Sequence, residues 1–112
     1  TCLHVGQHPY TPQPGVFLLH VPIEDEVYLS RATWSPLVYA LSTFLRRGKH
    51  VLVHCRLGKS RSPALVCAYL MQSGMGPEEA RAYVQARRPG IAIHAETWRG
   101  VLEWWEGVND AF

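Results

Sequence analysis

No run of 18 apolar residues occurs in the 112-residue sequence, so no membrane-spanning helix is expected. A basic stretch followed by an apolar one is also absent, and with it the sign of a secretory signal peptide. Cysteine is scarce. Cys2, Cys55 and Cys67 are odd in number and far apart, which argues against a disulfide framework and fits reduced thiols. Cys2, His4 and His8 resemble half of a zinc site, but no Cys-x-x-Cys or second ligand pair completes it, so no metal is expected. Excess charge is small, +2 from 11 Lys and Arg against 9 Asp and Glu. That is too little to wrap a nucleic acid, whose affinity comes from many phosphate contacts, while a partner with one or a few phosphates is compatible. Repeats and low-complexity segments are missing too. A soluble, cytoplasmic chain is the expectation, and because it opens on Thr1 rather than Met, an N-terminally incomplete one.

What is present is a globular composition, 47% apolar and 18% charged, of a length that supports one modest core. Residues 1–112 are therefore read as a single domain. A strand is expected within residues 1–6, and Val16–Val21 (VFLLHV) reads as a buried strand ended by Pro22. Ser35-Pro36 is placed at the start of a helix, as N-cap and first residue, with Leu37, Val38, Leu41, Phe44 and Leu45 inward and Gly48 closing it. Val51-Leu52-Val53 reads as a second buried strand. From Pro63 (PALVCAYLM) the chain reads as a helix apolar on nearly every side, suited to the middle of a domain. Pro77-Glu78-Glu79 begins another, with Ala80, Tyr83 and Val84 inward. A last helix carries Trp98, Val101, Leu102 and Trp105 at i, i+3, i+4 and i+7. Strands alternating with helices give an α/β class with a central, mostly parallel sheet flanked by helices. Ligands of such sheets bind beyond the carboxyl ends of the strands.

The most informative stretch is His54-Cys55-Arg56-Leu57-Gly58-Lys59-Ser60-Arg61-Ser62, between a strand and a helix. A strand-loop-helix turn lets successive main-chain N–H groups point at one centre with the positive end of the helix behind them. Gly58 supplies the backbone freedom such a curl needs. Cys55, at the strand end, would sit under this nest. Amides, helix dipole and Arg61 all favour its thiolate, as at sites where thiol pKa values fall from about 8.5 to roughly 3.5–7.5. The same donors would hold a phosphate dianion, and the planar Arg61 fork can grip two of its oxygens.

His-Cys-x5-Arg-Ser resembles the signature of the cysteine-dependent protein tyrosine phosphatases, and Ser60-Arg61-Ser62-Pro63 is similar to their dual-specificity branch. Gly76-Pro77-Glu78-Glu79-Ala80 and Arg87-Arg88-Pro89 extend the likeness over nearly the whole chain. The resemblance implies the fold of that branch and a metal-independent, cofactor-free hydrolysis of phosphomonoesters. Cys55 would attack phosphorus and form a phosphocysteine, Arg61 would hold the phosphoryl group, and Ser62 would assist breakdown of the intermediate. Substrate would lie on Arg56, Leu57, Gly58, Lys59, Ser60 and Arg61, with His54 shaping the loop. Expelling an alkoxide unprotonated is slow, so a proton donor is needed from another loop. Glu24, Asp25 and Glu26 all qualify by chemistry; the resemblance selects Asp25, thirty positions before Cys55. His94 stands near the place where the family often has an Asn ordering the loop, and its role stays open.

Several residues are expected to do ordinary work. Cys67 is read as core of its helix, Ser60 as a turn residue, Arg56 and Lys59 as a solvated rim, and the tryptophans as packing. Cys2 is read as a core residue, with oxidative pairing to Cys55 as the lesser alternative. The implied substrate is a phosphoprotein or phosphopeptide carrying phosphotyrosine, phosphoserine or phosphothreonine. Basic residues at 56 and 59 keep a phosphoinositide or other non-protein phosphate as the alternative. A catalytically silent phosphate-binding module is a further one; a sulfurtransferase-like or arsenate-reducing cysteine loop would need neither Asp25 nor Ser62.

Overall fold

The computed structural model describes residues 2–7, 10–56 and 58–110, without the side chains of Asn109 and Asp110. Three short parallel strands, β1 (Cys2–His4), β2 (Leu18–His20) and β3 (Leu52–His54), form a sheet in the order β2-β1-β3. Among the described residues four helices follow or separate them: α1 (Arg31–Arg46), α2 (Arg61–Gln72), α3 (Pro77–Arg87) and α4 (Ala95–Asp110). The α/β class with a parallel sheet is as expected. Among the described residues no helix is long and apolar enough to cross a membrane.

The strands are less buried than their apolar composition suggests. β1 holds the centre, with Leu3 fully buried, but among the described residues β2 and β3 each pair with β1 alone, and Leu52 is 60% exposed. Side chains alternate across a strand, so Leu3, Leu19 and Val53 share one face while Leu18 and Leu52 share the other. Val51–Val53 is thus half-buried at an edge, and Phe17, expected inside, is exposed.

α1 begins one turn earlier than Ser35-Pro36 suggests. Ser30 is its N-cap, and Pro36 lies inside it. Trp34 supplies the reason: fully buried, it continues the stripe of Leu37, Val38 and Leu41 upstream, and covering it outweighs the proline's lost hydrogen bond. Ala32, whose carbonyl the missing N–H would have met, is exposed, so water can serve it. Gly48, at φ +74°, closes the helix: its N–H donates to the Leu45 carbonyl and that of Lys49 to Phe44.

α2 packs against the three other helices and β3, the central position its sequence implies. In α3 the buried stripe is Ala80 and Val84; Tyr83 is 39% exposed and lies under the Arg87 guanidinium, 3.4 Å from its ring centre. α4 is rotated slightly from expectation, with Thr97, Trp98, Val101 and Trp104 buried and Leu102 and Trp105 only partly so.

At Gly100 the backbone of α4 packs against the loop between β2 and α1. A Cβ there would overlap the Leu29 carbonyl oxygen and stand 3.0 Å from the indole nitrogen of Trp34. Gly100→Ala is therefore expected to cost about 1–3 kcal/mol, as overpacking does. A urea titration should show the midpoint falling at unchanged slope; an unaltered midpoint would mean that α4 and this loop are not in firm contact.

Candidate active site

The loop from Cys55 to Ser60 joins the carboxyl end of β3 to the amino end of α2. Gly58, at φ +70°, makes the tight turn, and the Arg88 guanidinium lies 3.1 Å from where a Cβ would project. Cys55 is buried, and its Sγ is 3.4 Å from the Ser62 hydroxyl in the first turn of α2. Burial pushes the Cys55 thiol up. Against it act the Ser62 hydroxyl, the main-chain N–H groups of Ser62 and Gly58, and the Arg61 charge, and the net direction is down. Cys67, buried in α2 without such donors, is pushed up by burial to about 11. Two thiols twelve residues apart are driven in opposite directions by what surrounds them.

Arg61 is 5% exposed. Its Nη1 donates to the Ile23 carbonyl at 3.1 Å, and its Nε stands 3.6 Å from Asp25 Oδ1. That Nε has no hydrogen-bond partner and is buried, a donor held toward the Asp25 carboxylate without reaching hydrogen-bond distance. Asp25, 43% exposed at its side chain, accepts the Glu26 N–H at 3.0 Å. Glu26 itself sits at φ +59°, an uncommon conformation for a residue with a Cβ. Its neighbours hold it there. The Ile23 N–H bonds to the Val5 carbonyl, the Thr97 hydroxyl to Val27, and Tyr28 to Glu103 of α4.

Asp25, Glu26, Cys55, Lys59, Ser60, Arg61, Ala92 and His94 line one cavity of about 180 Å³. The structure thus brings Cys55, Arg61 and Asp25 together with Lys59 and Ser60, places Ser62 against the sulfur, and leaves Glu24 off the cavity wall. Arg56 instead lines a neighbouring cavity of about 480 Å³ with His54 and Tyr10, which also reaches Cys55. Leu57 and His8 lie outside the described residues. Among those described, no three His, Cys, Asp or Glu side chains are grouped as metal donors would be.

Ser60 does more than turn the chain. It is buried, and its hydroxyl accepts the His94 N–H at 3.0 Å, while the Lys59 carbonyl accepts the N–H of Ala92 at 2.7 Å. The stretch before α4 therefore braces the loop through main-chain groups. The His94 imidazole faces its own helix, its Nδ1 accepting the Glu96 N–H at 3.2 Å as an N-cap would. Pairing of Cys2 with Cys55 does not fit. Cys2 lies opposite Leu52, three residues and about 10 Å along the strand from Cys55, beyond the roughly 7 Å a disulfide spans.

The family model described as "Dual specificity phosphatase, catalytic domain" matches residues 6–106. Human dual specificity phosphatase 28 is 32% identical over 111 residues, 96% of this chain and 63% of that protein. The crystal structure of human DUSP28 superposes with a TM-score of 0.90 at 30% identity, covering 99% of this chain and 80% of the other. A phosphatidylglycerophosphate phosphatase, PTPMT1 of Arabidopsis thaliana, is 41% identical over 59 residues, 52% of this chain and 18% of its own. The chain spans less than two thirds of the length of these curated relatives.

Ser62→Ala removes the hydroxyl that lies 3.4 Å from the sulfur. The Cys55 thiol should then titrate higher, and its alkylation by iodoacetamide at pH 6 should slow, because less of it is thiolate there. An unchanged alkylation profile from pH 4 to 9 would show that the hydroxyl contributes nothing to the anion.

Proposed function

The chain belongs to the dual specificity phosphatase catalytic-domain family, and on that premise we propose that it removes phosphate from tyrosine, serine and threonine side chains of proteins. The observation that carries this reading is the single cavity shared by Cys55, Arg61 and Asp25, with the thiol held below its ordinary range. We take residues 1–112 as one catalytic unit. The substrate is a phosphoprotein or phosphopeptide, and the location a reducing one, the cytoplasm, where a thiolate nucleophile survives.

The phosphoryl group enters against the N–H groups of the loop, and the unpartnered Arg61 Nε–H turns from Asp25 to a phosphoryl oxygen. The Cys55 thiolate attacks phosphorus. The bond to the ester oxygen breaks as Asp25 gives that oxygen its proton. In the second step Asp25 takes a proton from water, the water oxygen bonds to phosphorus, and the sulfur leaves as thiolate, stabilised by the Ser62 hydroxyl 3.4 Å away. Donors already in place, rather than groups that must reorganise, supply most of the acceleration in such transfers.

A second reading, a lipid or inositol phosphate as substrate, is favoured by the exposed Arg56 and Lys59 and by the likeness to the Arabidopsis enzyme. Rates on phosphotyrosine peptide, phosphothreonine peptide and phosphoinositide, measured side by side, decide between the two.

Cys55→Ser should abolish turnover of p-nitrophenyl phosphate while phosphate-ester binding persists. Residual activity above about a tenth of wild type would exclude Cys55 as the nucleophile. If the wild type binds phosphotyrosine peptide but turns nothing over, the chain is a binding module.

Asp25→Asn should slow esters with poor leaving groups far more than p-nitrophenyl phosphate, since only the former need the proton. Equal losses on both would move the acid to Glu26. On the acid side, because the Cys55 thiol lies low, activity should persist well below the ordinary thiol range and fall where Cys55 takes up its proton. A profile that rises toward pH 9 would contradict a lowered thiol.

A further inference from the structure

All three strands end in histidine (CLH, LLH, LVH), and the parallel register sets His20, His4 and His54 side by side. Their rings stack in one row. The centroids of His4 and His20 are 4.5 Å apart and tilted by 17°; those of His4 and His54 are 4.5 Å apart and tilted by 14°. That interval is the spacing of neighbouring strands, so the sheet itself builds the row. At one end the His20 Nε2 lies 2.6 Å from the Gly6 carbonyl, and in the middle His4, 5% exposed, receives the Gly6 N–H on Nδ1 at 3.4 Å.

His54 ends the row beside the nucleophile. Its Nε2 is 2.8 Å from the Tyr10 hydroxyl, and the Cys55 main chain accepts a hydrogen bond from the same ring. A carbonyl only accepts, so the nitrogen facing it carries the proton. In a neutral imidazole Nε2 is then the acceptor, and the Tyr10 hydroxyl must be the donor. The groups facing this end are Cys2, beside the Tyr10 hydroxyl, and Arg56 at the rim of the shared cavity. No carboxylate lines that cavity among the described residues. Burial first, then the neighbouring His4 and more weakly His20, hold His54 below the ordinary histidine range, against the effect of its bond to Cys55. The ring is therefore neutral near pH 7, as the assignment of its proton requires.

We propose that Tyr10, backed by the stacked rings of His4 and His20, is a positioning residue for Cys55, acting through His54. The Tyr10 hydroxyl selects the tautomer that donates to the Cys55 carbonyl, and the stack keeps the ring from turning away. A hydrogen bond to that carbonyl fixes the peptide plane after Cys55 and strengthens the N–H on its other side, the first of the phosphate-binding loop. Neither Tyr10, His4 nor His20 lines the cavity that holds Asp25 and Arg61, so each acts at a distance. Their purpose rests on the phosphatase reading above; the geometry does not.

The test uses Tyr10→Phe, which keeps the ring at a site 44% exposed, and His20→Ala, which shortens the stack. Cys55 alkylation by iodoacetamide is followed from pH 4 to 9, alongside thermal unfolding and kcat/KM on p-nitrophenyl phosphate. Tyr10→Phe should raise the alkylation midpoint by about half a unit, roughly threefold slower on the acid side of that midpoint, without a change in Tm. His20→Ala should shift it the same way by less, and the acid limb of kcat/KM should move with both. An unmoved midpoint in Tyr10→Phe overturns the proposal. A shift in Tyr10→Phe with none in His20→Ala overturns the part given to the stack. Should the wild type turn out to hydrolyse no phosphate ester, alkylation still reads the chain from Tyr10 to Cys55, so the two failures are told apart.

Discussion

One buried cation organises the site. Arg61 has almost no access to solvent, and a guanidinium removed from water is tolerated only where its N–H groups meet oxygen. One of them meets the Ile23 carbonyl, which ties α2 to a loop 38 residues earlier in the chain, and another is held toward Asp25 without closing a hydrogen bond. The same side chain thus brings the Asp25 loop over the sulfur, adds its charge to the forces that lower the thiol, and keeps one N–H out of any hydrogen bond.

The contrast between Cys55 and Cys67 shows how little the residue type alone decides. Both are buried and reduced. Cys55 has hydroxyl, amide and guanidinium donors around its sulfur; Cys67 has the apolar interior of α2, where desolvation acts almost unopposed. Position at the end of a strand and the start of a helix makes the difference, because only there do unpaired main-chain N–H groups converge.

What was legible in the sequence follows the same logic. The loop and its elements could be read because an apolar strand, a glycine in the turn and an apolar helix are each local signals. The start of α1 was misread for the opposite reason. Pro36 is a strong local signal, but the burial of Trp34 against α4 and the core is a tertiary one, and it prevails. The depth of β2 and β3 also depended on the number of neighbours each strand has, which no pattern within Val16–Val21 or Val51–Val53 contains. Ser60 looked like a turn residue because its partner, the His94 N–H, lies 34 positions away. The histidine row was visible only in part: the three strand ends share a Leu-His or Val-His pair, yet nothing short of the parallel register says that the rings touch.

The segment from Pro22 to Ser30 has no regular secondary structure, yet its main chain is tied at several points. The Val5 carbonyl holds Ile23 by its N–H and Arg61 holds it by its carbonyl, Thr97 grips Val27, and Gly100 fits beneath Leu29. Fixing a residue's backbone costs about 1–2 kcal/mol of entropy, and here that loss is met during folding rather than at each encounter with a ligand. Little disorder remains in this segment for an arriving molecule to quench, so recognition there draws on enthalpy and shape, much as a rigid receptor does.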